Sequence, residues 1–176
     1  MLATYDLPAV RRFATELDEQ RSNCNGEGMF CSDLDAAIGC LADVCLKLYG
    51  AITEWAREVF AGRVPFEREV EVIFKAELRR ALDDANPLVK RGREVATECF
   101  TLERLEDLES WVSDFEFLLT NWVSPQQAVA AAPRISSGDA ANKEIGELLR
   151  DLPPLPAGWC PTDRRQARIL KQPPKS

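Results

Sequence analysis

Four of the six cysteines lie within one stretch of the chain, from residue 24 to residue 45. Thiolate sulfur binds zinc, and zinc fingers and ribbons place two ligands in one tight turn, as in C-x2-C, so that both reach the ion. Here six, eight and four residues separate successive cysteines, so no pair has that spacing. Cys40 and Cys45 would also point about 140° apart on a single helix. The spacing therefore disfavours an ordinary zinc site.

The individual cysteines differ in what surrounds them. Cys45 occupies a central position of a long apolar stripe, which predicts a small buried hydrophobic residue. Cys24 and Cys31 flank a turn-forming segment and could meet, whereas Cys40 lies on the polar side of its helix. We expect plain packing or unbridged thiols at these positions. A disulfide across the turn, a redox switch or a metal site at Cys24, Cys31 and Cys40 are the alternatives.

The chain contains no histidine. This composition excludes Ser-His-Asp and Cys-His catalysis, histidine-ligated zinc and the E-x-x-H pairs of di-iron helical bundles. No glycine-rich nucleotide loop and no G-x-S-x-G nucleophile turn occurs either. We therefore predict that the protein is not an enzyme, with no catalytic residues and no cofactor.

Two acidic runs have helical spacing and could in principle form an all-carboxylate site for Mg²⁺ or Mn²⁺. One run spaces its carboxylates at i, i+2 and i+4, and the other at i, i+3 and i+6. The runs are Glu67, Glu69 and Glu71, and Glu103, Glu106 and Glu109. Carboxylates at such spacing are typical of the solvated face of an amphipathic helix, which is the interpretation we adopt.

The location of the protein is predicted from its apolar and terminal segments. No run of 18 or more apolar residues occurs, so no membrane contact is expected. The first residues lack a basic segment followed by an apolar one, which is the pattern of a secretory signal. A cytoplasmic location is therefore expected, and disulfides rarely persist there.

Charge is distributed unevenly along the chain, which carries a net charge of −7. The last twenty residues have five basic residues and one acidic residue, which leaves 17 basic and 28 acidic residues in the remainder. An acidic body repels a phosphate backbone. Nucleic acid could therefore be bound only through the basic tail.

Apolar residues recur with helical period over the first 123 residues. The second of four predicted helices has the clearest pattern, a stripe with alternating steps of four and three residues: Leu34, Ile38, Leu41, Cys45, Leu48, Ile52, Trp55 and Val59. A first helix starts after Asp6, and Ser32 is expected to cap the second. Pro87 should kink or divide the third helix. Thr101 is expected to cap the fourth, which ends at Ser124.

These patterns predict an all-α protein with an antiparallel four-helix bundle of long helices over residues 1–123. A linker over 124–138 follows, rich in alanine, serine and proline. Residues 139–152 are predicted to form a short docking helix. Residues 153–176 form an irregular, Pro-rich and basic tail.

Partner binding is predicted at two places. On the bundle, Trp111 lies at the edge of the apolar stripe beside Leu118, and tryptophan is enriched at binding hot spots. In the C-terminal part, apolar, proline and basic residues could dock on a partner. These are Leu149, Leu152, Pro153, Pro156, Trp159, Arg164, Arg165 and Arg168.

The leading hypothesis is a non-enzymatic helical interaction module, or a subunit of a larger assembly. It would bind a partner protein through an apolar face of the bundle or through the C-terminal helix and tail, and the wide apolar faces leave oligomerisation open. The alternative is a thiol- or metal-dependent helical protein, with redox or zinc chemistry at Cys24, Cys31 and Cys40. A fold of this class does not choose between them, because helical bundles host many unrelated functions.

Overall fold

The computed structural model describes residues 2, 4–24, 30–96, 104–122 and 124–125. Four α-helices make up most of this part: α1 (Leu7–Asn23), α2 (Cys31–Phe60), α3 (Arg68–Val95) and α4 (Leu105–Thr120). The described ranges contain no β-strand, so the predicted all-α class is confirmed. The predicted C-terminal helix and Pro-rich tail lie outside the described residues.

Helix α1 begins where the sequence predicts. Asp6 precedes it in an extended conformation, and its carboxylate accepts a 2.8 Å hydrogen bond from the backbone N–H of Ala9. This bond satisfies one of the backbone donors that every helix leaves unpaired in its first turn. Pro8 lies in the same turn, where its missing N–H costs nothing. Val10 and Leu17 are buried against the other helices.

Helix α2 forms the centre of the core and contacts all three other helices. All eight residues of its predicted stripe are buried. Trp55 packs against two rings from the α3 side, Phe66 at 6.1 Å and Phe74 at 5.3 Å between ring centroids. By length and composition alone α2 could cross a membrane, but most of its apolar window is buried inside the protein. Its contacts with neighbouring helices account for that apolar character.

The start of α2 differs from the prediction. The helix begins at Cys31, one residue before Ser32, and Phe30 takes the cap position. Phe30 has no side-chain acceptor, and its own backbone N–H donates to the Asp33 carboxylate at 3.3 Å. The acid three residues after the cap therefore makes the reciprocal half of a capping box, while the hydroxyl half is missing.

Helix α3 runs unbroken through Pro87, so the prediction that this residue could divide it is wrong. Pro87 lies on the exposed side of the helix, where water can reach the backbone carbonyl that loses its hydrogen bond. Ala85, on the buried side, keeps its place in the core. Thr101, the predicted cap of the fourth helix, lies outside the described residues.

Helix α4 buries the two residues that were predicted to bind a partner. Trp111 and Leu118 are 2% and 1% exposed, so the prediction that they form an accessible face is wrong. The Trp111 ring packs between Tyr49 at 5.3 Å and Phe115 at 5.6 Å. A stripe edge in the sequence became core because α4 contacts both α2 and α3.

Candidate functional site

Three cysteines of the described residues are disulfide-bonded, which differs from the expectation. A disulfide joins Cys24, just after α1, to Cys40 in α2, with their Cα atoms 5.5 Å apart. Cys31 is also disulfide-bonded. The expectation of packed or unbridged thiols is therefore wrong for Cys24, Cys31 and Cys40, and Cys24 pairs with Cys40 rather than across the turn. Cys45 is buried, as predicted.

These disulfides argue against the alternative of a zinc site at Cys24, Cys31 and Cys40. Sulfur binds zinc as thiolate, and a bridged sulfur has no thiolate to offer. Within the described ranges no group of three or more Cys, Asp or Glu side chains could hold a metal ion. Glu67, Glu69 and Glu71 do not converge: Glu69 is exposed, Glu71 is buried, and Glu67 lies at the cap of α3.

A cluster of five charged residues ties α1 to α3. Arg21 pairs with Asp18 and, at 2.9 Å, with Asp84. Arg80 lies 2.6 Å from Glu77 and 3.4 Å from Asp18. The Glu77 side chain is only 2% exposed, and the Arg21 guanidinium lies 3.7 Å from its second oxygen. Each charge in this cluster faces an opposite charge, so the cluster holds helices together rather than attracting a ligand.

Burial and neighbouring charge shift the pKa values in this cluster. Burial raises the pKa of Glu77, and the Asp18 carboxylate raises it further, whereas Arg21 and Arg80 offset only part of the rise. Burial also lowers the pKa of Arg21, but the bond to Asp18 and the charge of Glu77 outweigh it, so the net shift is upward. Desolvation disfavours the ion in both cases, and only the arginine is fully compensated.

A second polar contact joins α3 to the residues that follow α4. The indole N–H of Trp122 donates to the Glu71 carboxylate at 2.6 Å, and Lys75 lies over the Trp122 ring, 5.2 Å from its centroid. Glu71 is 8% exposed, so its charge is stabilised by this bond rather than by bulk water. The contact holds the residues just after α4 against the first turn of α3.

One concave surface is a cleft of about 430 Å³ where the start of α1 meets the connection between α2 and α3. Four carboxylates line it: Asp6, Glu54, Glu58 and Glu67. We call this surface, together with the buried Tyr5, the acidic cleft. Apolar atoms of Leu2, Val64 and Pro65 complete its wall.

The carboxylates of the acidic cleft differ in whether a neighbouring group compensates their negative charge. Arg63 donates to both oxygens of Glu58, at 2.6 and 2.8 Å, and lowers the pKa of that carboxyl. Asp6 caps α1, as described above. No ion pair among the described residues involves Glu54 or Glu67. The cleft therefore keeps a negative charge that the rest of the described chain leaves uncompensated.

Tyr5 is the most deeply placed polar residue of the cleft, with only 6% of its surface exposed. Its hydroxyl makes no hydrogen bond of strict geometry within the described part of the chain. Burial raises the pKa of Tyr5, and the carboxylates of Glu54 and Glu58 raise it further. Glu54 raises this pKa both as a hydrogen-bond acceptor for the hydroxyl and by its charge, although the contact falls outside strict hydrogen-bond geometry. An unpaired buried hydroxyl costs free energy, so a ligand that reached it would be favoured.

This combination of groups suits one class of ligand. Carboxylates accept from ammonium and guanidinium groups in strong charge-assisted hydrogen bonds, and a tyrosine oxygen accepts as well. An apolar wall accommodates the methylene stem of a lysine or arginine side chain. The acidic cleft can therefore hold a basic side chain, with its charge between Glu54 and Glu67.

Most of the predicted site residues are not in the described part of the chain. Trp111 and Leu118 are core residues, and Leu149, Leu152, Pro153, Pro156, Trp159, Arg164, Arg165 and Arg168 lie outside the described residues. Sequence reasoning missed the acidic cleft because its residues come from three separate segments. One feature could have suggested it: Glu54 and Glu58 stand four residues apart near the end of α2, so both carboxylates lie on one side of that helix.

No protein-family model, no curated protein and no solved structure matches this chain. The function has to be inferred from the chemistry of the molecular surface.

Proposed function

We propose that the protein is a non-enzymatic interaction module, which binds a partner protein by accepting a basic side chain in the acidic cleft. The charge of Glu54 and Glu67, which no ion pair among the described residues compensates, supports this proposal together with the buried hydroxyl of Tyr5 in the same cleft. The surface originally favoured for partner binding, around Trp111 and Leu118, is replaced because those side chains are buried.

The arrangement of the helices is part of the proposal. We infer an antiparallel four-helix bundle, and the contacts between α3 and α4 support it because each end of α3 meets the opposite end of α4. Arg93, near the end of α3, lies 2.7 Å from Glu109 in α4, and Trp122, after α4, bonds to Glu71 in the first turn of α3. Such a bundle brings the start of α1 to the connection between α2 and α3, where the acidic cleft lies.

The location of the protein is also a matter of proposal. The expectation of a cytoplasmic location rests on the first residues of the sequence. Disulfides at Cys24–Cys40 and at Cys31 support an oxidising compartment instead, because cytosolic thiols are kept reduced. We therefore propose that the protein works where such bonds persist, for example outside the cell.

The C-terminal residues from Leu149 to Arg168 keep their predicted role as a second contact with a partner. Nucleic-acid binding, if any, is expected only through the basic tail, because the remainder of the chain is acidic.

A thiol-dependent function is the second candidate, supported by the Cys24–Cys40 disulfide. Both residues are partly exposed, so a reductant could reach the bond. Two electrons and two protons would convert it into two thiols and detach the end of α1 from α2. A faster reaction of this bond with a dithiol than expected for an ordinary structural disulfide would favour the redox function.

Affinity capture with paired variants tests the interaction proposal. The full chain is compared with Glu54→Gln/Glu67→Gln, which removes two charges from the acidic cleft. Glu94→Gln/Glu116→Gln is the matched control, because both glutamates are exposed and lie outside the cleft. Circular dichroism verifies that all three proteins are folded.

We expect a partner that is held by the wild type and by the control and is lost from the cleft variant. Capture that is equal in all three proteins would contradict the role of the acidic cleft. It would move the interaction to another surface.

A further inference from the structure

We propose that the basic end of this same chain, residues 160–176, occupies the acidic cleft when no partner is bound. This inference rests on the proposed function, because it takes the acidic cleft as the partner-binding site and adds that the tail regulates access to it. A partner with a basic segment would have to displace the tail before it could bind.

Charge complementarity within the chain is the first argument. Arg164, Arg165, Arg168, Lys171 and Lys175 stand in the last twenty residues against a single acid. The cleft offers carboxylates without a counter-charge among the described residues. Opposite charges on one chain attract without the loss of translational freedom that two separate molecules suffer on association.

The path of the chain is the second argument. Trp122 follows α4 and bonds to Glu71, one helical turn after Glu67 at the cap of α3. The chain therefore leaves the helices at the same end as the acidic cleft. Residues 123–163 connect Trp122 to Arg164, and a segment of that length can extend to at most about 140 Å. The connecting segment is therefore long enough for the tail to reach the cleft.

The chemistry of the cleft is the third argument. Tyr5 is more than nine-tenths buried, lines the cleft, and makes no hydrogen bond of strict geometry in the described ranges. An arginine or lysine head group donates to such an oxygen while it pairs with Glu54 or Glu67. The apolar wall takes the methylene stem. A metal ion fits less well, because no three ligands among the described residues come close enough to hold one.

A zero-length carbodiimide reagent tests the contact on the full-length protein. The reagent activates a carboxyl group, a lysine amine attacks it, and an amide bond forms as the urea by-product leaves. Only pairs already in contact are joined. Mass spectrometry of the monomer fraction then identifies which carboxylates are linked to Lys171 and Lys175.

We expect links from these two lysines to Glu54, Glu67 or Asp6, with a lower yield in about 0.5 M salt, where screening is short-ranged. Glu54→Gln/Glu67→Gln lacks those two carboxyl groups, so its informative readout is the link to Asp6, which should weaken, whereas all the links should persist in Glu94→Gln/Glu116→Gln. Links spread evenly over exposed carboxylates, or found only in a covalent dimer, would overturn the proposal.

A second measurement keeps a lack of cross-links from being ambiguous. Backbone amide shifts of Thr4, Asp6 and Glu67 are compared between the full-length wild type and Arg164→Gln/Arg165→Gln/Arg168→Gln. We expect shifts confined to the acidic cleft, and identical spectra there would overturn the proposal.

The outcomes also separate this inference from the proposed function. If a partner depends on the cleft but the tail does not contact the cleft, the proposed function stands and the regulatory role of the tail is wrong. If the tail contacts the cleft but no partner depends on the cleft, the contact is intramolecular only and the proposed function is wrong.

Discussion

Trp122 donates its indole N–H to the Glu71 carboxylate at 2.6 Å, and this bond joins the residues after α4 to the first turn of α3. Glu71 is almost fully buried, so its negative charge depends on the indole in place of water. The same contact brings the chain that leaves α4 to the end of the protein where the acidic cleft lies.

Trp122→Phe is expected to lower the free energy of unfolding by about 1.5–3 kcal/mol, because a buried carboxylate loses its hydrogen bond while the ring is largely kept. Urea denaturation followed by circular dichroism measures the change. Glu69→Gln is the control, because Glu69 is exposed on the same turn. An equally small effect of both substitutions would mean that water replaces the indole at Glu71.

The Cys24–Cys40 disulfide closes a loop of 16 residues in sequence. Removing a cross-link over such a loop is expected to lower the free energy of unfolding by about 3 kcal/mol, because the unfolded chain regains conformational freedom. Cys24→Ser/Cys40→Ser, compared with the oxidised wild type in urea, measures the loss. Peptide mapping without reductant provides the control, and it would contradict the structure if Cys24 and Cys40 were found in unlinked peptides.

Leu118→Ala is expected to lower the free energy of unfolding by about 2–5 kcal/mol, because it leaves a cavity in the core. Leu46→Ala is the matched control: Leu46 is 57% exposed, so the same truncation should cost far less. Urea denaturation compares the two. A small effect at Leu118 would restore the original prediction that this residue lies on an accessible face.

Much of the fold followed from the sequence because helices repeat their apolar residues with a fixed period. The stripe of α2 predicted its buried face, and Asp6 with Pro8 predicted the start of α1. Trp111 was misjudged because a stripe edge is buried or exposed according to how many helices pack on it, and periodicity within one helix does not carry that information.

The candidate site was harder to predict, for two physical reasons. The pairing of Cys24 with Cys40 depends on α1 packing against α2, which no local spacing encodes. The acidic cleft joins the segment before α1 to the last turns of α2 and the start of α3. The spacing of Glu67, Glu69 and Glu71 predicted a solvated face, because spacing along one helix is the same whether or not carboxylates of other segments lie nearby.

Glu77 predicts a pH dependence of stability. Its pKa is raised in the folded protein, first by burial and then by Asp18. The folded state therefore holds this proton more tightly than the unfolded chain, whose glutamate titrates near pH 4.3. This contribution to stability is fully present below that pH and is lost as the pH rises through the folded-state value.

Glu77→Gln mimics the protonated side chain and should remove that loss. The difference in unfolding free energy, variant minus wild type, is expected to increase from pH 4 to pH 7. Urea unfolding at several pH values measures it, with Glu94→Gln as the exposed control. A difference that decreased with pH would show that the charges of Arg21 and Arg80 outweigh the desolvation of Glu77.

Tyr5 predicts an effect at alkaline pH. Burial and the charges of Glu54 and Glu58 raise its pKa in the folded protein, whereas a tyrosine in the unfolded chain ionises near pH 10. The contribution is therefore complete below pH 10, and above it the fold is expected to lose up to about 1.4 kcal/mol per pH unit at this residue.

Tyr5→Phe cannot ionise and should not show that loss. Unfolding free energies of both proteins at pH 9 and 11 test it, and the ring ¹³Cζ shift of Tyr5 reports its protonation directly. A Tyr5 signal that moved to the phenolate position near pH 10 in the folded protein would mean that the hydroxyl is open to water, and the acidic cleft would lose its buried acceptor.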